Sequence, residues 1–279
     1  MIITDIDKFI KCIPTAEGTE WSAIESFIIT ADNEIQTFLT GSDLYDSISA
    51  LSETDALKIN LYNLISFKAY QSAIPFMDLV HTANGFAVMS NSNQAPASKE
   101  RVERLLAWCD IMIDRATDLL ITVTMQSATA LAEWTKFVGF NDLTNCFFVT
   151  GIDFSGYFKQ SDLKRKTFLD YKNDLMYCQE NVLAVTFSKE VINELVTQIR
   201  TNTLTESNRK VLSQMKQVMG KYANGLRGDE LKTQSGSFKM IYEGLKGNTT
   251  YESTPEAIVR LPGTNYENKQ EDPTYFFGY

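Results

Sequence analysis

Apolar side chains recur at helical spacing through several long windows, so the pattern predicts a mainly α-helical bundle. Thr19 is placed to cap a first such helix, whose buried stripe reads Trp21, Ile24, Ile28, Ile35 and Phe38 and which ends near Gly41. Ser52-Glu53-Thr54-Asp55 resembles a capping box with Asp in place of Glu. It opens a helix through Leu57, Leu61, Leu64, Ile65, Phe67 and Ile74 that is apolar on nearly every side, the pattern of a central helix, and Pro75 kinks or ends it. Ser98 is placed to cap a long amphipathic helix with Val102, Leu105, Leu106, Cys109, Met112, Ala116, Leu119, Leu120 and Val123 inward. Glu100, Glu103, Arg104, Asp110, Asp114 and Asp118 fall mostly outward. Further helices are expected from Ser161 or Asp162 to about Phe187, from Ser188 to Arg200, and from Thr205 or Ser207 through Tyr222.

The period changes once. Leu79 to Ser90 holds two short apolar runs around Asn84-Gly85, a dipeptide that supplies the positive backbone angles of a tight turn, so a β-hairpin is expected near 79–90. From Gly228 onward glycine, proline and tyrosine accumulate among polar neighbours: six of the 14 glycines lie there. That composition reads as an extended C-terminal arm, with Thr254-Pro255-Glu256 able to start one short helix. The arm closes on Tyr275, Phe276, Phe277 and Tyr279, a cluster too apolar to be left in water without a docking partner.

Short word matches point to two similar helical halves. Phe38 to Asp43 lies over Phe148 to Asp153, and Ser98 to Val102 over Ser207 to Val211. A duplication and chance identity both remain open on such short matches. Charge divides the chain similarly: residues 1–143 carry 19 acidic and 9 basic side chains, the remainder 16 and 17. The expected organisation is thus an acidic helical half with the hairpin (1–143), a second helical half (144–227) and the arm (228–279).

Composition narrows the function classes. A formal charge of -9 argues against holding duplex nucleic acid, which is gripped by clustered Lys and Arg. No apolar run is long enough for a membrane span, and no basic-then-apolar leader opens the sequence. Cys12, Cys109, Cys146 and Cys178 are scattered, and the single histidine, His81, cannot complete a metal set with them, so reduced cysteines and no metal or cofactor are expected. Neither a phosphate-cradling glycine loop nor a nucleophile elbow is present. Asp110, Asp114 and Asp118 share one helical face and could serve acid chemistry, yet a solvated or partner-facing acidic edge has the same spacing. Lys164-Arg165-Lys166, the only basic triplet, sits where a helix disfavours cations, so it calls for an acidic neighbour, in this chain or in another copy.

Two stretches carry a family resemblance: Asn84-Gly85-Phe86-Ala87-Val88 with Asn91 and Ala95-Pro96-Ala97-Ser98-Lys99-Glu100-Arg101-Val102, and the closing Pro273-Thr274-Tyr275-Phe276-Phe277-Gly278. They resemble an uncharacterised family of structural proteins of tailed bacteriophages and prophages of gut bacteria, crAss-like phages included, whose members look like head-to-tail connector or neck ring subunits. The resemblance implies a non-enzymatic virion protein, assembled in the host bacterial cytoplasm as a homo-oligomeric ring, a dodecamer, between portal and tail or adaptor proteins, with DNA only as passing cargo. Asn84, Gly85, Phe86, Tyr266, Tyr275, Phe276, Phe277 and Tyr279 are the expected interface residues. The alternatives are another phage component (tail, baseplate or scaffolding), a helical cellular adaptor, or an acid-dependent hydrolase using Asp110 and Asp114.

Overall fold

A computed structural model describes residues 1–13, 18–77, 79–82, 85–88, 98–159 and 165–260. The fold is mainly helical. Among the described residues it divides into two compact units, residues 1–173 with 200–203, and residues 174–199 with those from Leu204 onward. The expected boundary at 143/144 therefore falls inside the first unit, because a sum of charges carries no information on which helices share a core.

The first unit is built around one helix. It begins with α1 (Ile6–Cys12), α2 (Trp21–Ile35), α3 (Gly41–Ser49) and α4 (Ala56–Ala73). Asp55 caps α4 by accepting from the Leu57 amide at 2.8 Å, three residues beyond the expected Ser52. Helix α4 is buried on nearly all sides, through Leu57, Leu61, Leu64, Ile65, Phe67 and Tyr70, which is why its sequence lacks a polar face. It packs along α2 and along the long α5 (Lys99–Gln126), with α1 against it. Phe9 meets Tyr70, and Phe67 meets Trp108 edge-on at 5.2 Å. Pro75 closes α4 into a single 3₁₀ turn, Ile74–Phe76. Beyond it, β1 (Leu79–Thr82) pairs antiparallel with β2 (Gly85–Val88), His81 opposite Phe86; the turn residue Asn84 lies outside the described residues.

Two sequence readings of this unit need correction. Helix α2 starts at Trp21 after Glu20, not at a Thr19 cap. It then widens into a π-helical turn, Gln36–Thr40, before α3. The extra residue rotates the following face by about one position's angle, so Phe38, expected on the buried stripe, is 72% exposed. The chain continues through α6 (Ala128–Trp134), α7 (Phe140–Leu143), α8 (Gly151–Ser155) and α9 (Arg165–Cys178). Trp134 donates its indole N–H to the Leu39 carbonyl at 2.8 Å, tying α6 to the π turn. Phe148, Phe154, Phe158 and Phe168 form a ring cluster under α8, with Phe154 and Phe158 stacked at 4.9 Å.

The second unit takes the end of α9, a π turn (Gln179–Leu183), α10 (Ala184–Phe187), α11 (Lys189–Arg200) and α12 (Glu206–Ala223). Ser188 is fully buried at φ 110° and its Oγ accepts from the Val191 amide, so one residue ends α10 and caps α11. Thr205 caps α12 through the Asn208 amide.

The expected extended arm is not extended where it is described. Residues 228–260 fold into α13 (Gly228–Ser235), α14 (Ser237–Leu245), α15 (Thr249–Glu252) and α16 (Pro255–Arg260). They bury Leu231, Phe238, Ile241, Leu245, Tyr251 and Ala257, and Phe187 packs between Phe238 and Tyr242. Their glycines mark joints, not loose chain: Gly228, Gly236 and Gly247 take φ of 52°, 57° and 80° at the ends of helices. Gly244 instead allows close approach, since a Cβ there would sit 2.7 Å from Val211 Cγ2 on α12.

Candidate functional site

The residues with the most chemical potential converge on the acidic face of α5, all within the first unit. Asp110, Asp114 and Asp118 were expected to point mostly into solvent. Asp110 does lie at the surface, accepting from the Gln71 side chain at 2.5 Å. Asp118 is buried, and both its oxygens are taken: Oδ1 accepts from the Arg165 guanidinium at 2.7 Å and Oδ2 from the Ile152 amide at 2.9 Å. The first contact is the acidic neighbour that the basic triplet required, and it comes from the same chain. The second satisfies one of the open N–H groups at the start of α8, beside the Thr150 cap.

Between them lies Asp114, half-buried, accepting from the Lys166 amide at 3.3 Å. Burial pushes its carboxyl above the ordinary range, with the Asp118 charge adding to the rise; the Lys166 and Arg165 contacts oppose it. Gly151 completes the joint, because any Cβ there would meet the Arg165 backbone at 2.8 Å. Leu119, expected inward, is displaced to the surface on this same turn of α5.

A carboxyl raised by burial beside one paired with a cation resembles the pairing acid catalysis uses. Here, however, the paired member is buried, with each oxygen already held by a donor of this chain. The arrangement works as a clasp: it ties α5, α8 and α9 together and neutralises the charge on the way into the core. Periodicity alone put Asp118 on the outer face, because the cation covering it arrives from 47 residues downstream.

The other sequence candidates divide in two. Gly85 and Phe86 lie in β2. Asn84, Tyr266, Tyr275, Phe276, Phe277 and Tyr279 lie outside the described residues. Cys109, Cys146 and Cys178 are buried and Cys12 is half-buried; burial raises the Cys109 thiol to about 11. Among the described residues no group of His, Cys, Asp and Glu has the geometry to hold a metal, and no helix is long and apolar enough to cross a membrane.

What sequence reasoning missed is a second kind of surface, large apolar side chains left in water. In the first unit Phe38 is joined by Val138, 93% exposed. The two flank one seam, where Trp134 reaches the Leu39 carbonyl and the Phe137 ring rests on Gly41. In the second unit Val185 and Met240 are 71% and 58% exposed.

Fold and surface together define a two-unit helical protein with an internal charge clasp and exposed apolar side chains on each unit. Residues 22–136 match a family of unknown function (DUF6712), a stretch running from α2 into the loop after α6 and so containing α4 with α2 and α5 but not α1. No curated protein and no solved structure matches the chain.

Proposed function

We propose that this chain is a non-enzymatic structural protein of a tailed-bacteriophage virion, a head-to-tail connector subunit that closes into a ring between portal and tail. The observation that carries the reading is the exposed apolar set, Phe38 and Val138 on one unit and Val185 and Met240 on the other. Large apolar groups left in water favour association. A ring subunit meets its neighbours head to tail through two different surfaces, and two units each bearing exposed apolar side chains could supply such a pair. The π turn supports the same role, since it presents Phe38 outward at no cost to the α2 stripe before it. Residues 273–278 and the hairpin region, where the phage resemblance lies, add aromatic anchors of the type that dominate interface energetics. The dodecameric order and assembly in the host cytoplasm belong to this proposal.

Electron microscopy of negatively stained, purified full-length protein tests it, together with light scattering. Rings of one stoichiometry are expected, and Phe38→Glu with Val138→Glu should convert them to smaller species with unchanged helical circular dichroism. Fibres would favour a tail or scaffolding component. A monodisperse monomer at high concentration would overturn the reading.

A further inference from the structure

We propose that the cleft between α1 and α4 is the receptor for residues 271–279 of a second copy of this chain. This rests on the assembly reading above and names the surface it would use. The cleft has a volume of about 410 Å³, within the ~300–1,000 Å³ of clefts that hold compact ligands. Lys8, Lys11 and Cys12 of α1 line one side, and Ile59, Tyr62 and Asn63 of α4 the other, with Glu53 at the edge.

Its chemistry is cationic and aromatic. The Lys8 ammonium lies 5.7 Å from the Tyr62 ring centroid, and Lys58 approaches the same ring at 6.0 Å. Glu53, the one acid in the lining, is already engaged: Lys58 stands 3.2 Å from it, Lys8 3.8 Å, and the Tyr62 hydroxyl donates to it at 2.9 Å; outside the lining, Asp5 pairs with Lys8 at 4.0 Å. Lys11, in the last turn of α1, is exposed and has no carboxylate within ion-pair distance among the described residues. Ile59, 42% exposed, gives the wall an apolar face. A cationic cleft is out of character in the half of the chain that carries 19 acids against 9 bases. A site that differs in sign from its surroundings selects an anionic partner.

The segment Glu271-Asp272-Pro273-Thr274-Tyr275-Phe276-Phe277-Gly278-Tyr279 has the complementary order, two acids followed by four rings. Pro273 biases Asp272 toward extended backbone, which would set the carboxylates against Lys8 and Lys11 while the rings enter beside Tyr62 and Ile59. Residues 261–279 span up to ~60 Å when extended, enough to reach an adjoining subunit.

The experiment uses the full chain. Tyr279→Cys is oxidised in mildly alkaline buffer, where Cys12 is the most accessible native thiol. Disulfide-linked multimers are expected, lost again when Cys12→Ser is added. Lys8→Glu with Lys11→Glu should raise the concentration needed for assembly at least tenfold. Glu271→Lys with Asp272→Lys should restore it. Rings without a Cys12 link, or without sensitivity to the lysine changes, would overturn the receptor and leave the assembly reading standing. A link formed within one chain would overturn it too, by placing the segment in its own cleft. Loss of rings in the unaltered protein would instead overturn the assembly reading. Thermal stabilisation by benzoate in a variant lacking 265–279, with no cross-link in the full chain, would reassign the cleft to small aromatic anions.

Discussion

Asp118 and Arg165 show how a single pair can set the fate of a helix face. Removing either partner strands a charge in the core, at a cost of about 3–5 kcal/mol. Asp118→Ala and Arg165→Ala are each expected to lower the unfolding free energy by about 3–5 kcal/mol, read from urea denaturation. Asp118→Leu with Arg165→Met should cost far less than the sum, a coupling that a double-mutant cycle reads directly. Asp114 behaves in the opposite sense. Its carboxyl binds a proton more readily in the folded chain than in the unfolded one, so the penalty for its charge is absent at acid pH and grows as pH rises through the raised value. Asp114→Asn keeps an acceptor for the Lys166 amide, so it should stabilise the protein at pH 7, and the gain should shrink as pH falls below the ordinary carboxylate range. Urea unfolding at several pH values checks the sign. The identity of the three acids was legible in the sequence; their roles were not, because spacing reports a helix face and says nothing about what covers it.

At the scale of elements, the long periodic segments read well and the joints read poorly. The central character of α4 was plain from its all-round apolar sequence, as was the Ser188 start, while Thr205 was one of two candidates for the start of α12. The π turn was invisible, since no residue type marks an inserted position, and Phe38 was misplaced with it. The word Phe-x-Thr-Gly makes the same point: Thr40 ends a π turn before Gly41 at φ 71°, whereas Thr150 caps α8 with its hydroxyl, so identical letters adopt different backbones. Glycine content misled in the region after 228, where composition suggested loose chain. What distinguishes a joint from a tether is the apolar period between the glycines, Leu231, Phe238, Ile241 and Leu245, and that period was readable. Gly244→Val tests the packing of α14 on α12. It should destabilise by about 1–3 kcal/mol, the usual penalty for overfilling a tight contact, seen as a lower midpoint in urea.

For the whole molecule, deleting residues 265–279 is expected to leave the helical circular dichroism nearly intact and to abolish assembly, because helices α1 to α16 are all built without that segment. A truncated protein that fails to fold would place the terminal rings in their own core. Helical class was readable from periodicity alone, whereas the grouping into two units was not, since it depends on contacts between helices far apart in sequence.

The clasp also bears on where this chain can be cut. The family match stops at residue 136, yet Asp118 inside it takes both its partners, the Ile152 amide and the Arg165 guanidinium, from beyond that point. A recombinant fragment trimmed to the matched stretch would inherit an anion whose counter-ion had been discarded. The matched stretch and the thermodynamically self-sufficient one therefore end at different residues, and the shortest workable expression boundary for the first unit lies past α9's opening turns.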